Sequence, residues 1–153
     1  MTARAVDAFR VPMAGLRDVS GLQELVADGR LEPDDIVAVT GKTGGWGDTY
    51  DSSRVDADQA VRRFLLDHGS RPARAVEELP MAFSAGVGTV MTPHLVVYTR
   101  TVAEPAADGL PRLAIGSAVS AAILPEWIGG AAHVRANADA VRAAAADAGM
   151  APE

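Results

Sequence analysis

Asp35-Ile36-Val37-Ala38-Val39-Thr40-Gly41 is the segment on which the reading of the whole chain turns. It is a β-branched run bounded by Pro33 and by glycines, the pattern of a buried strand, and it delivers Lys42 at its C-terminal end. Four glycines and two aspartates between Gly41 and Asp51 predict a loop. A helix over about 53–68 follows, with Val55, Ala60, Val61, Phe64 and Leu65 on its apolar face. Upstream, Val6 to Pro12 reads as a strand, and Ser20 is placed to cap a short helix through Val26, with Gln23 as capping-box partner and Gly29 as stop.

Downstream, residues 69–78 read as a polar connection, Met81 to Ser84 as a strand running into a glycine-bearing turn over 85–89, and His94 to Thr99 as another strand. Val102 to Pro111 has the composition of a linker. Beyond it, Leu113 to Val119 reads as a strand, and Ala132 to Ala148 as an alanine-dense helix ending at Gly149. This order implies an α/β (α+β) fold, a mixed sheet with helices on one face. The expected organisation is a first unit over 1–101, a linker over 102–111, and a second unit over 112–153 whose strand and helix need strands from elsewhere to complete a sheet.

Composition removes several classes of function. The chain carries 14 Lys and Arg against 20 Asp and Glu, a formal charge of −6, so it offers no field for a nucleic-acid backbone. Without cysteine there is no disulfide framework, thiolate metal site or thiol redox chemistry. The most apolar stretch, Leu113 to Leu124, falls short of the roughly 20 residues a membrane span needs. The start of the chain has no signal-peptide core, and a soluble cytoplasmic protein is expected.

The chemistry-bearing residues cluster at strand ends. Gly41-Lys42-Thr43 after a strand suggests a phosphate loop, but Ile36 stands where that motif needs its first glycine. Lys42 and Ser84, each ending a predicted strand, can reach one side of the same sheet. A serine hydroxyl attacks only when a base removes its proton, and a desolvated lysine can serve as that base; a strand-end lysine is more commonly a solvated charge. Arg54 offers a planar fork to a ring carbonyl, or pairs on the surface with Asp51 or Asp56. His68, His94 and His133 lack metal-ligand spacing, and Trp46 and Trp127 read as packing residues.

Together these segments resemble the ring-opening amidohydrolases, the cyanuric acid hydrolase and barbiturase family. The family's Val-Ala-Val, Gly-Lys-Thr and Asp-Phe-Ser-Arg pattern is matched by Val37-Ala38-Val39, Gly41-Lys42-Thr43 and Asp51-Ser52-Ser53-Arg54, with the lysine-to-arginine spacing kept. Its Ser-Gly-Gly-Thr-Glu-Gly motif and following Pro-His are matched by Ser84-Ala85-Gly86-Val87-Gly88-Thr89 and Pro93-His94. Phe9-Arg10-Val11-Pro12, Asp18-Val19-Ser20-Gly21-Leu22, Gly116, Leu124-Pro125-Glu126 and Ile128-Gly129 also match.

The resemblance implies three repeats around a pseudo-threefold axis in a barrel-like assembly, each giving a lysine, a serine and an arginine to a central site for a cyclic amide or imide. By carry-over Lys42, Arg54, Ser84 and the Ala85 amide are first-repeat residues that hold and polarise the ring, while the middle repeat supplies nucleophile and base. Whether Ser84 itself attacks stays open. Gly44, Trp46, Ala85, Val87 and Gly88 depart from the family pattern, and an indole beside the site changes which ring fits. Family members are more than twice as long; a split enzyme whose second subunit carries the remaining repeats explains this, a truncated gene or an excised fragment would look identical in sequence, and a homotrimeric binding module without turnover is the alternative function. No cofactor is expected in this chain, and any structural Mg or Ca is expected in the partner.

Overall fold

A computed structural model of the chain describes residues 4–45, 50–85, 93–102 and 113–150, which fall into two compact units, 4–102 and 113–150. The first unit contains β1 (Arg4–Pro12), α1 (Ser20–Ala27), a 3-10 turn (Pro33–Asp35), β2 (Ile36–Lys42), α2 (Ser53–His68), α3 (Ala73–Glu77), β3 (Met81–Ser84) and β4 (His94–Val102). The strands form one mixed sheet in the order β1-β4-β2-β3. β4 is antiparallel to β1 and β2, whereas β3 runs parallel to β2.

Ladder partners share a face, so register sorts the side chains. Val39 pairs with Val97 and Met81, and Gly41 with Leu95 and Phe83; these rows turn toward the helices. Val11, Val39, Leu95 and Val97 there meet Leu22, Val61, Phe64 and Leu65 in the buried core. The opposite face presents Thr40, Lys42, Ala82 and Ser84, half-buried to exposed. An irregularity between Ile36 and Ala38 places two β2 residues against one β4 step, and the change of parity lets both Ile36 and Val39 enter the core.

Gly41 is required by packing. A Cβ built there would lie 2.8 and 2.9 Å from Phe83 ring carbons and 3.0 Å from the His94 carbonyl oxygen, so the ring seats directly on the β2 backbone.

α2 buries Ser53, Ala57, Val61, Phe64 and Leu65, a stripe at helical spacing. Val55, expected on the apolar face, is instead 56% exposed because it lies outside that stripe. Residues 69–78 are also more ordered than a polar connection: they contain α3, with Val76 buried. Arg62 organises this corner. It grips Asp58 at 2.7 and 3.0 Å and donates to the Val76, Glu77 and Leu79 carbonyls at the end of α3, supplying partners that a terminating helix lacks.

Ser20 does not cap α1. Val19 holds the N-cap position without a side-chain bond, and the Asp18 carboxylate accepts the Ala14 and Ser20 amides at 2.7 and 2.9 Å. Gly29 does stop the helix, at φ +67°, with its amide donating to the Val26 carbonyl and the Arg30 amide to that of Leu25, the hydrogen bonds of a Schellman ending.

In the second unit α4 (Ala131–Asp147) follows a 3-10 turn (Pro125–Trp127), and Gly149 ends the helix at φ +76°. The strand expected over 113–119 is absent: a strand needs a ladder partner, and among the described residues this segment pairs with none. It lies along α4 instead, the Ser117 amide donating to Asp147 at 3.1 Å. A Cβ on Gly116 would strike the Ala144 carbonyl and the Ala148 amide, so a larger residue cannot approach the helix this closely. The expected linker beyond Val102 and the turn beyond Ala85 lie outside the described residues.

Two outcomes follow for stability. Gly41→Ala forces the Phe83 ring or the β4 backbone aside, and chemical denaturation should register a loss of about 1–3 kcal/mol, the scale of overpacking. Asp34 accepts the Ser70 hydroxyl and amide, bonds that hold its carboxyl below the usual carboxylate range, the hydroxyl foremost. A depressed folded pKa contributes stability above the unfolded value of about 3.9 and loses it as pH falls through the folded value. Asp34→Ala should therefore be less stable than the parent at pH 7 and converge with it in strong acid, as read by thermal melts across that window.

Candidate active site

Parallel pairing of β2 with β3 brings two expected site residues together. Lys42 and Ser84 are the last residues of their strands and are register partners. Lys42 Nζ lies 3.5 Å from Ser84 Oγ and 3.3 Å from the Ala85 carbonyl oxygen, and Ser84 Oγ also reaches that carbonyl at 3.4 Å. These are long, weak contacts. Of the 14 Lys and Arg residues, Lys42 alone is lysine.

The strand end is locked from behind by residues the sequence did not single out. Thr43 is 2% exposed and Ser53 3%, and their hydroxyls lie 2.9 Å apart inside the protein. The Thr43 amide donates to the Ser84 carbonyl at 3.1 Å, and its hydroxyl reaches the same oxygen at 3.4 Å. Ser53 opens α2 and is followed by Arg54. Its amide donates to Asp51 Oδ1 at 2.8 Å, and Gly45 crosses so close to Asp51 and Ser53 that a Cβ would overlap both. The available signal was modest: each of these two hydroxyl residues is the chain neighbour of a candidate site residue.

Arg54 is exposed in the first turn of α2 and lines an open groove of about 320 Å³ with Val55, Asp58, Gln59, Met81 and Phe83. The surface pairing considered for it is not made. Asp56 is occupied by Arg17 at 2.6 Å and by Ser52 at 2.8 Å, which hold its carboxyl below the usual range, Arg17 foremost. Among the described residues Arg54 has no ion pair, and no hydrogen bond joins it to Lys42 or Ser84. Its groove is shared with Met81 and Phe83, which lie on the helix-facing rows of the sheet, and its link to the Lys42 strand end is the Thr43–Ser53 bond one residue away in sequence.

The histidines lie apart. His94 is buried opposite Lys42 in the β4 register, the His68 ring packs on Phe64 at 4.8 Å, and His133 Nδ1 accepts the Gly129 amide at 3.0 Å. Among the described residues no three His, Cys, Asp or Glu side chains form a metal-holding group. Nor is any described helix long and apolar enough to cross a membrane. Trp46 lies outside the described residues, and Trp127 is on the surface of the second unit.

Comparison with known proteins agrees with this architecture. The amidohydrolase ring-opening protein family matches residues 7–153. The chain is 38% identical to a cyanuric acid amidohydrolase of Bradyrhizobium diazoefficiens over 99% of its own length and 42% of the relative's. It is 34% identical to Barbiturase 1 of Nocardioides sp. over 95% of its length and 40% of that protein's. Two solved structures superpose on it. One, described as a cyanuric acid hydrolase arising by structural concatenation, gives a TM-score of 0.83 at 37% identity, covering 97% of this chain and 41% of that one. The cyanuric acid hydrolase of A. caulinodans gives 0.82 at 36% identity, covering 97% and 40%. The chain thus spans about two fifths of the length of these relatives. With the match running through almost every described element, the chain belongs to the ring-opening amidohydrolase family.

Proposed function

We propose that this chain forms one wall of a site that opens a cyclic amide or imide of the cyanurate or barbiturate type by a Ser-Lys mechanism, the site being completed by a partner polypeptide that carries the remaining repeats. The observation that carries the reading is the Lys42–Ser84 pair at 3.5 Å on the sheet face away from the helices. Lys42, Ser84, Arg54 and the Ala85 amide are the residues that hold and polarise ring carbonyls in this wall. Donors aimed at a carbonyl stabilise the negative charge that grows on its oxygen when a serine attacks. The serine's proton passes to a lysine and on to the ring nitrogen as the C–N bond breaks. Water then hydrolyses the ester, leaving a carboxylate and the freed serine.

A chain that otherwise uses only arginine for its basic Lys and Arg positions keeps a lysine here, a compact point charge that fits beside Ser84 and one ring oxygen where a planar fork would not. The partner is supported by surfaces left open: α4 has no buried residue, and Ile128, Val134 and Val141 are exposed. Any metal belongs to that partner, and a cysteine-free chain suits a cytoplasmic enzyme.

Expressed by itself, the chain should self-associate or precipitate, because its exposed apolar surface is uncovered. Coexpression with the partner should yield a defined complex. A stable monodisperse monomer in size-exclusion chromatography would contradict this, and a stable homotrimer that binds the ring without turnover would replace the split enzyme by a binding module.

In the complex, Ser84→Ala should lower hydrolysis of barbiturate or cyanurate on the order of 100-fold, the loss seen when one oxyanion donor is removed, without abolishing it. Arg54→Ala should impair affinity and turnover more than Arg54→Lys, which keeps charge but not the two-pronged geometry. Complete loss in Ser84→Ala, with no acyl-enzyme trapped, would instead make Ser84 the nucleophile.

A further inference from the structure

We infer that Thr43 is the positioning residue of this site, and that its buried hydroxyl aims and strengthens the Ala85 amide as a hydrogen-bond donor. The inference rests on the reading of Lys42, Ser84, Arg54 and Ala85 given above. Two hydroxyl protons are available along the buried path. Either hydroxyl of the 2.9 Å Thr43–Ser53 bond can donate; with Thr43 directing its own proton to the Ser84 carbonyl oxygen, 3.4 Å away, Ser53 donates to Thr43. The result is a directed relay, Ser53 to Thr43 to the Ser84 carbonyl, reinforced by the Thr43 amide at 3.1 Å on the same oxygen.

That carbonyl belongs to the peptide unit that contains the Ala85 N–H. The unit is planar and trans, so fixing the C=O direction fixes the N–H direction on the opposite side. Hydrogen bonds to the carbonyl oxygen also draw charge through the amide, and polarised chains of this kind strengthen the donor at the far end. Ser84 and Arg54 are exposed and Lys42 only half-buried, whereas Thr43 and Ser53 are screened from water that could substitute for a lost bond. Thr43 follows Lys42, bonds the Ser84 carbonyl, and holds the residue that precedes Arg54. One side chain therefore sets the relative placement of all three.

The test uses the coexpressed complex with barbiturate as substrate and three substitutions. Thr43→Val keeps the shape and the amide but removes the relay. It should lower kcat on the order of 10-fold, less than outright removal of an oxyanion donor, with little change in KM. Thr43→Ser should restore most of the loss. Ser53→Ala, which removes only the far end of the relay, should act in the same direction more weakly, and it carries the test if Thr43→Val does not accumulate. Independently of turnover, the Ala85 amide proton signal in NMR should move upfield in Thr43→Val and return in Thr43→Ser.

An unchanged Ala85 signal and kcat in folded Thr43→Val, or a Thr43→Ser variant as impaired as Thr43→Val, would overturn the inference. If the parent complex opens no cyclic imide, the functional reading fails while the NMR comparison still decides the role of Thr43.

Discussion

The hydrogen bond between the Thr43 and Ser53 hydroxyls, 2.9 Å long and closed off from solvent, is the contact through which the sheet and the helix that flank the site are held in one frame. Whereas Thr43 would keep its contact with the Ser84 carbonyl, the Ser53 hydroxyl depends on this bond, since a buried hydroxyl without a partner keeps its full desolvation penalty of about 1–3 kcal/mol. Formation of the pair fixes the end of β2, the end of β3 through the Ser84 carbonyl, and the first turn of α2. Lys42 and Ser84 are register partners whose side chains also meet at 3.5 Å, and Arg54 follows the anchored Ser53.

Packing from below makes that frame possible. Gly41 leaves room for Phe83 to sit on the β2 backbone, which keeps β3 close and parallel at the register that sets Lys42 beside Ser84. The β2 irregularity resolves a conflict: Ile36 and Val39, of opposite parity, both reach the core without turning Lys42 away from the other face. Past the middle of α2, Arg62 ties α3 and the entry to β3 through three backbone carbonyls. The helix is thus fastened at its start by a hydroxyl pair and again, past its middle, by a guanidinium.

The distribution of charge follows the same division. The ion pairs involving Arg62, Arg63, Arg74 and Arg142 lie within helices or at their ends, at three- and four-residue spacing, where they add a few tenths of a kcal/mol each. Among the described residues Lys42 and Arg54 take no part in such pairs.

The sequence by itself determined the elements whose signals are local. The β-branched run ending at Lys42, the helix over 53–68, the alanine-dense helix and the glycine stops at 29 and 149 were all legible, because periodicity and the left-handed region depend on the residues themselves. The resemblance to the family implied Lys42, Arg54, Ser84 and Ala85 as site residues. Only the tertiary structure decided that β3 lies parallel to β2, which turns two distant strand ends into neighbours, and that the Asp18 carboxylate, not Ser20, organises the entry to α1. It also removed the strand expected at 113–119, since a strand exists only with a partner to bond. Thr43 and Ser53 stand inside the matched motifs, but their pairing was not legible for the same reason: a hydroxyl gains its importance from burial and from what stands opposite it, and neither is written in the residue itself.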